Sequence, residues 1–312
     1  MDYFIALTPG DLPLADVAER SCVLASPAHF PLGRASIFGR RRLRALMLDS
    51  GAYHHNSSRR GRTQQEALDD QLRVVHRFPE ADQVFLVHCD VLPRLNISYA
   101  SAVQQTLRNA EAFQRLEIDG AFERVAVAQG RSPDEMYLVV SALREMGYER
   151  VAIGGLANLY KGRHRAIGEY IEAACEAADT TPVHVLGVTA PKALFYMRRS
   201  GVVSCDSASP IWAAVHGLLL YSRPFRRFRL SSRRSLRAES DVDTGFHSMI
   251  ERPLPCQCPV CQRDPELLTG TDTRGKHFRT IHNYLHLRAE VEGAHIWRQV
   301  SLSADYLFDF VN

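Results

Sequence analysis

The residues of this chain best placed to do chemistry are a knot of three cysteines and three aspartates at the ends of apolar runs. Cys256, Cys258 and Cys261 share one short stretch, Pro255-Cys256-Gln257-Cys258-Pro259-Val260-Cys261. Three sulfurs this close cannot all pair as disulfides. A tight loop instead brings them within reach of one soft, tetrahedral cation, which is what zinc prefers. His277, His282 and His286 follow, and His282 is taken as the fourth ligand. Cys256, Cys258, Cys261 and His282 would then close a three-Cys, one-His site with no open position for water, so the zinc, one per chain, is expected to be structural. Free thiols in a surface loop are the plain alternative.

The aspartates have meaning only through the elements that carry them. Short apolar runs recur along the chain at Tyr3–Leu7, Cys22–Ala25, Ala45–Leu48, Val84–His88, Arg124–Ala128, Arg150–Ile153, Val183–Leu186 and Val202–Cys205. Helical patterns at Leu14–Arg20, Gln64–Arg77, Tyr99–Leu116, Pro133–Met146, His164–Ala178 and Pro191–Arg198 alternate with them. Pro133 and Pro191 suit a first helical position, with Ser132 and Thr189 as expected caps. Strands alternating with helical crossovers predict a (β/α)8 barrel, with a doubly wound open sheet as the runner-up, since a pattern does not reveal closure. The expected division is a barrel over residues 1–220, an arginine-rich zinc-binding subdomain over 221–290, and a closing segment over 291–312. Residues 221–275 read as an irregular insertion around the metal, followed by a helix from Lys276 to Glu292 carrying His282 on its first turns.

Working residues of such barrels sit at the carboxyl ends of the strands. Those ends read Asp49-Ser50-Gly51-Ala52-Tyr53, His88-Cys89-Asp90, Gln129-Gly130, Gly154-Gly155-Leu156, Gly187-Val188-Thr189 and Ser204-Cys205-Asp206-Ser207. One strand-end aspartate is as often a cap as a catalyst; three in one mouth suggest substitution at an anomeric carbon. One carboxylate attacks C1′ while another protonates the leaving group. Asp90 and Gln129 together would read the edge of a flat heterocycle. Gly154 and Gly155 would let backbone amides approach it, and Tyr53 would stack on its face.

Charge supports a polymer as substrate. Of the 38 basic residues only Lys161, Lys192 and Lys276 are lysines, and the net charge is +3. Arg40, Arg41, Arg42 and Arg44 form one cluster; Arg223, Arg226, Arg227, Arg229, Arg233, Arg234 and Arg237 form another, interleaved with Phe225 and Phe228. Guanidinium groups grip phosphates, and aromatics among them suit nucleic acid, although a solvated surface in an arginine-preferring proteome gives the same composition. There is no apolar run long enough for a membrane span and no secretory leader, so a cytoplasmic protein is expected. The scattered Cys22, Cys89, Cys175 and Cys205 read as core thiols in a reducing compartment.

From Leu48 to Tyr284 the motifs resemble the tRNA-guanine transglycosylases. The resemblance rests on Asp49-Ser50-Gly51, Asp90, Gln129-Gly130, Ile153-Gly154-Gly155-Leu156-Ala157, the Gly187-Val188 and Pro191 pair, Cys205-Asp206-Ser207-Ala208, the three cysteines and His282-Asn283. It implies a barrel with a structural zinc subdomain and exchange of guanine in a nucleic acid for a 7-deazaguanine. By position it implies Asp206 as nucleophile and Asp49 as general acid/base. Ser50, Tyr53, Asp90, Gln129, Gly155 and Leu156 would bind the base, and a homodimer is the assembly it suggests.

The chain departs from the family's pattern at Ala52-Tyr53, at Arg131 after Gln129-Gly130, and at Asn158-Leu159-Tyr160. The last of these speaks against a pocket for an aminomethyl substituent, and a short, divergent chain with Asp-Ser-Gly-Ala-aromatic is similar to the branch that inserts 7-cyano-7-deazaguanine-type bases into DNA. DNA is therefore favoured over tRNA. A non-catalytic nucleic-acid-binding subunit is the rival from another class, weakened because Asp49, Asp90 and Asp206 are all present. A hydrolytic glycosylase would use the same residues.

Overall fold

In the computed structural model of the protein, the described residues are 1–8, 14, 17, 20–30, 42–52, 63–78, 80–92, 97–156, 164–231 and 248–293. Tyr53, Ala157 to Lys161, Arg40, Arg41, Arg233, Arg234, Arg237, most of the first helical pattern and the chain beyond Gly293 lie outside them. The chain divides into two compact units, one of Met1–Leu12 and Arg20–Ser207, the other of Pro13–Glu19 and Ala208–Asn312.

The first unit is a closed barrel of parallel strands in sequence order: β1 Asp2–Leu7, β2 Cys22–Ala25, β3 Leu43–Leu48, β4 Ala81–Val87, β5 Glu123–Ala128, β6 Val151–Ile153, β7 Val183–Val185 and β8 Ser204–Ser207. Closure comes from β1 pairing with β8, with Phe4 opposite Asp206. Among the described residues, five helices alternate with the strands: α1 Gln64–Val75, α2 Tyr99–Arg115, α3 Pro133–Glu145, α4 His164–Ala178 and α5 Pro191–Arg199. All eight expected strands are present, and the open sheet is excluded.

Most of the strands are largely apolar on both faces because one side fills the barrel and the other meets the helices. Phe4, Leu24, Met47, Phe85, Val87, Val125, Val127 and Ala152 pack together as one buried cluster. Side chains alternate along a strand. The register Ala45, Met47 therefore continues to Asp49, and Val125, Val127 continues to Gln129. The same alternation that fills the core aims the next residue into the mouth.

Local signals start the helices where the sequence suggests. Thr63 and Glu66 form a reciprocal capping box on α1, and Ser132 accepts from the Glu135 amide ahead of Pro133 on α3. Thr189 departs from expectation. Ala190 is the cap residue of α5, without a side-chain bond, and the Thr189 hydroxyl donates instead to Ser207 Oγ at 3.0 Å.

The second unit is more regular than the expected insertion. It contains α6 Ser209–Val215, then β9 Leu218–Tyr221, β10 Arg226–Leu230 and β11 Ser248–Ile250 in one sheet of order β11-β10-β9, then α7 Pro259–Arg263 and α8 Thr273–Glu292. Helix α8 starts earlier than expected, and His282 lies well inside it rather than on its first turns. From Phe278 to Ala289 it is buried on every side, so it is the core of this unit, not an amphipathic cover. Asp272 caps it by accepting from Gly275 N, and Gly293 ends it at φ +70°. Its polar residues bind neighbouring backbone. Arg279, fully buried, donates to the carbonyls of Ala214, Leu268 and Gly270 at 2.7–3.0 Å. Asn283 accepts from Leu220 N at 2.8 Å and donates to Pro210 O and Leu218 O. No helix among the described residues is long and apolar enough to cross a membrane.

Candidate active site and metal centre

Asp49 follows β3, and its own amide donates to Ala25 O across to β2 at 3.0 Å. Gly51 N returns to Asp49 Oδ2 at 3.0 Å. The Asp49 carboxyl is held above the usual carboxylate range. Burial is the main cause, and the charge of Asp206 adds to it. Asp90, after β4, is pushed up to about 7 by burial and by the charge of Asp49. The three carboxyls are thus electrostatically linked in the order Asp90, Asp49, Asp206. Burial and neighbouring negative charge hold the Asp49 and Asp90 carboxyls towards their protonated forms, which suits acid–base chemistry.

Two donors hold Asp90. Gln129 gives its amide to Oδ2, and the buried Ser50 hydroxyl lies 3.4 Å from Oδ1. Gln129 is itself buried at the end of β5. The glycine after it has a steric reason, since a Cβ at Gly130 would lie 2.6 Å from Met136 N on α3. Arg131 turns to α3, where its guanidinium pairs with Glu135 at 2.7 Å and lies over the Tyr99 ring. After β6, Gly155 is exposed at φ +79°, with open space where a Cβ would stand, while Leu156 is buried. The left-handed backbone, not crowding, calls for glycine here.

Asp206 is buried at the end of β8. His184 Nε2 lies 3.1 Å from its Oδ1, and Gly187 N donates to the same oxygen at 2.9 Å. His184 sits on β7, fully buried, with Nδ1 2.8 Å from Ser204 Oγ and the Phe4 ring against its edge. Sequence reasoning missed His184, although a histidine inside an otherwise apolar strand was a visible signal. It also missed the helix residues that hold the strand ends. On α1, Gln71 donates to Leu48 O and Val87 O at 2.7–2.8 Å, and Gln64 accepts from Cys89 N. On α2, Thr106 accepts from Val91 N and Asn109 donates to Cys89 O. Together these four side chains fix the backbone on both sides of Asp90.

The second unit brings Cys256, Cys258, Cys261 and His282 together, with all ligand atoms within 4.8 Å of one another. The three sulfurs lie 3.8, 3.4 and 3.6 Å from His282 Nδ1. Tetrahedral zinc bonded to sulfur and imidazole nitrogen at its usual lengths sets that separation at about 3.5 Å, so the residues fit the ion. Cys258 also accepts from Cys261 N at the start of α7. Hydrogen bonds from Cys258 and Cys261 push the Cys256 thiol down, and the same contacts with Cys256 push the other two thiols up, so the three sulfurs share their protons as one cluster. His286 is near, its ring 4.4 Å from that of His282, but its Nδ1 faces Ser222 N at 3.1 Å and it is not among the four.

Of the expected residues, the barrel brings Asp49, Ser50, Asp90, Gln129, Gly155, Leu156 and Asp206 to its carboxyl-terminal end, and Tyr53 falls outside the described residues. A family model described as queuine tRNA-ribosyltransferase matches residues 84–297, more than half of the chain. No curated protein matches it.

Proposed function

The chain belongs to the queuine tRNA-ribosyltransferase family, guanine transglycosylases acting on nucleic acid; from that membership we propose a base exchange, and from the chain's own sequence departures DNA as the favoured polymer and a 7-deazaguanine such as 7-cyano-7-deazaguanine as the incoming base. The observation that carries the chemistry is the pair of unlike carboxyl environments. Asp49 is raised towards its protonated form, and Asp206 is gripped through Oδ1 by two N–H donors.

In the proposed reaction Asp206 Oδ2 attacks C1′ as the bond to guanine breaks. Asp49 delivers its proton to the departing base, leaving a glycosyl ester on Asp206. The incoming base then gives a proton to Asp49 and attacks C1′, and the carboxylate of Asp206 departs. Asp90 and Gln129 present an acceptor and an amide to the edge of the base, with Ser50, Gly155 and Leu156 around it. Cys256, Cys258, Cys261 and His282 would hold zinc, whose contribution is to tie the cysteine loop to α8. The Asp49-Ser50-Gly51-Ala52-Tyr53 run supports the DNA branch over tRNA, and Asn158-Leu159-Tyr160 speaks against a pocket for an aminomethyl substituent.

The test is incorporation of labelled guanine into duplex DNA and into tRNA. Wild type should label DNA, and Asp206→Asn should label neither polymer. Label in tRNA alone would move the assignment to tRNA modification, and label in neither would sink the exchange. Loss of base to water without incorporation would indicate a hydrolase.

A further inference from the structure

His184 is fully buried, and the proposed reaction gives it no task, yet it touches the nucleophile. Its two ring nitrogens have one partner each, Ser204 Oγ at 2.8 Å on Nδ1 and Asp206 Oδ1 at 3.1 Å on Nε2. The ring is fully buried and packs at 5.5 Å against Phe4. In the neutral tautomer with hydrogen on Nε2, Ser204 donates to Nδ1 and Nε2–H donates to Asp206. Both ring nitrogens and the Ser204 hydroxyl are then satisfied. An imidazolium would need both partners as acceptors, leaving the buried Ser204 hydroxyl hydrogen with no acceptor among the described residues. Ser204 thus sets the tautomer, and the tautomer points a donor at the carboxylate.

Both hydrogen bonds to Asp206, from His184 and from Gly187 N at 2.9 Å, fall on Oδ1. Among the described residues Oδ2 is left open to the sugar. When Oδ2 is esterified, Oδ1 is the carbonyl oxygen and keeps both donors. When the Oδ2–C1′ bond breaks, its electron pair returns to the carboxylate and spreads onto Oδ1, where two N–H groups already wait. That is the arrangement that stabilises developing negative charge without reorganisation.

We infer that His184 is a positioning residue that, with Gly187 N, stabilises Asp206 as the leaving group of the second half-reaction, its tautomer set by Ser204. The inference rests on the base-exchange reading. Losing the donor should slow release of the sugar from Asp206 more than its capture, so the covalent adduct accumulates while turnover falls. A role in folding alone would lower adduct and turnover together.

The experiment measures, for wild type, His184→Leu, His184→Gln and Ser204→Ala, the turnover of labelled guanine exchange and the fraction of enzyme held as denaturant-stable adduct at steady state. His184→Leu should lose about a hundredfold in turnover with a higher adduct fraction and unchanged KM for guanine. His184→Gln, whose amide reaches the same place, should recover most of the rate. Ser204→Ala, which frees the tautomer, should shift adduct and turnover in the same directions, and it decides the matter if His184→Leu does not fold. Wild-type exchange with an unchanged or lower adduct fraction in the variants overturns this inference alone. Absence of exchange and adduct in the wild type overturns the underlying reading as well.

Discussion

Gln129 donates its side-chain amide to Oδ2 of Asp90, tying the end of β5 to the loop after β4. This bond opposes the burial and the Asp49 charge that raise the Asp90 carboxyl to about 7. If the carboxylate form of Asp90 accepts an N–H of the base, KM for guanine should fall as pH rises through about 7 in the wild type. Gln129→Ala removes a group that lowers the pKa, so the same fall should move to higher pH. KM measured from about pH 6 to 9 checks this; coincident profiles would detach Asp90 from base recognition.

Asp90 also makes a stability prediction. In the folded protein it holds its proton up to about 7, against an ordinary value of 3.8. The folded state therefore binds more protons than the unfolded one between those values, and this residue lowers stability as pH rises through that window. Asp90→Asn removes the effect. Its stability relative to wild type should grow between about pH 4 and 7 to on the order of 2 kcal/mol, less than the full shift implies because the side chain is partly exposed. Urea melts at pH 4 and pH 8 test it, and equal differences at both would contradict it.

What the sequence made legible follows from these same residues. Parallel strands buried on both faces stand out as apolar runs, so the eight strands and the polar residues that end them were readable. Closure was not, because β1 and β8 lie at opposite ends of the barrel sequence and no local pattern records that Phe4 pairs with Asp206. Gln64, Gln71, Thr106 and Asn109 were passed over because polar residues on a helix read as its solvent face, whereas here each reaches a strand-end backbone group. Strand β10, Arg226–Leu230, has three arginines in five residues and resembles a charged loop; pairing with β9 and β11 overrides that composition. The metal cluster was legible because its chemistry is local in three of its four ligands.

Gly155 separates conformation from packing. At φ +79° with nothing within 4 Å of an added Cβ, Gly155→Ala meets no clash but must hold a left-handed backbone. The expected loss of stability is about 1 kcal/mol, read by thermal melting. If the Gly155 backbone approaches the base, KM for guanine should rise well beyond what that loss explains. An unchanged KM would remove Gly155 from the base site.

Arg279 tests whether α8 is held by its polar contacts or by burial alone. Its guanidinium satisfies three carbonyls inside the second unit. Arg279→Met keeps much of the apolar stem and removes the guanidinium donor from each of those carbonyls, so a loss of about 3 kcal/mol is expected in urea unfolding. A loss below about 1 kcal/mol would show that the carbonyls find other partners.

The metal centre gives the last prediction, because two adjacent histidines compete for the same role. His282 Nδ1 lies 3.4–3.8 Å from all three sulfurs, whereas His286 Nδ1 is engaged by Ser222. Purified protein should carry one equivalent of zinc by elemental analysis. Cys258→Ser and His282→Ala should lose it, while His286→Ala should keep it. Because the four ligands join the cysteine loop and α7 to the middle of α8, metal loss should also lower the melting temperature of the second unit, and a chelator should reproduce that drop in the wild type. Zinc retained by His282→Ala but lost from His286→Ala would exchange the two assignments, and zinc retained at full affinity by Cys258→Ser would remove the site.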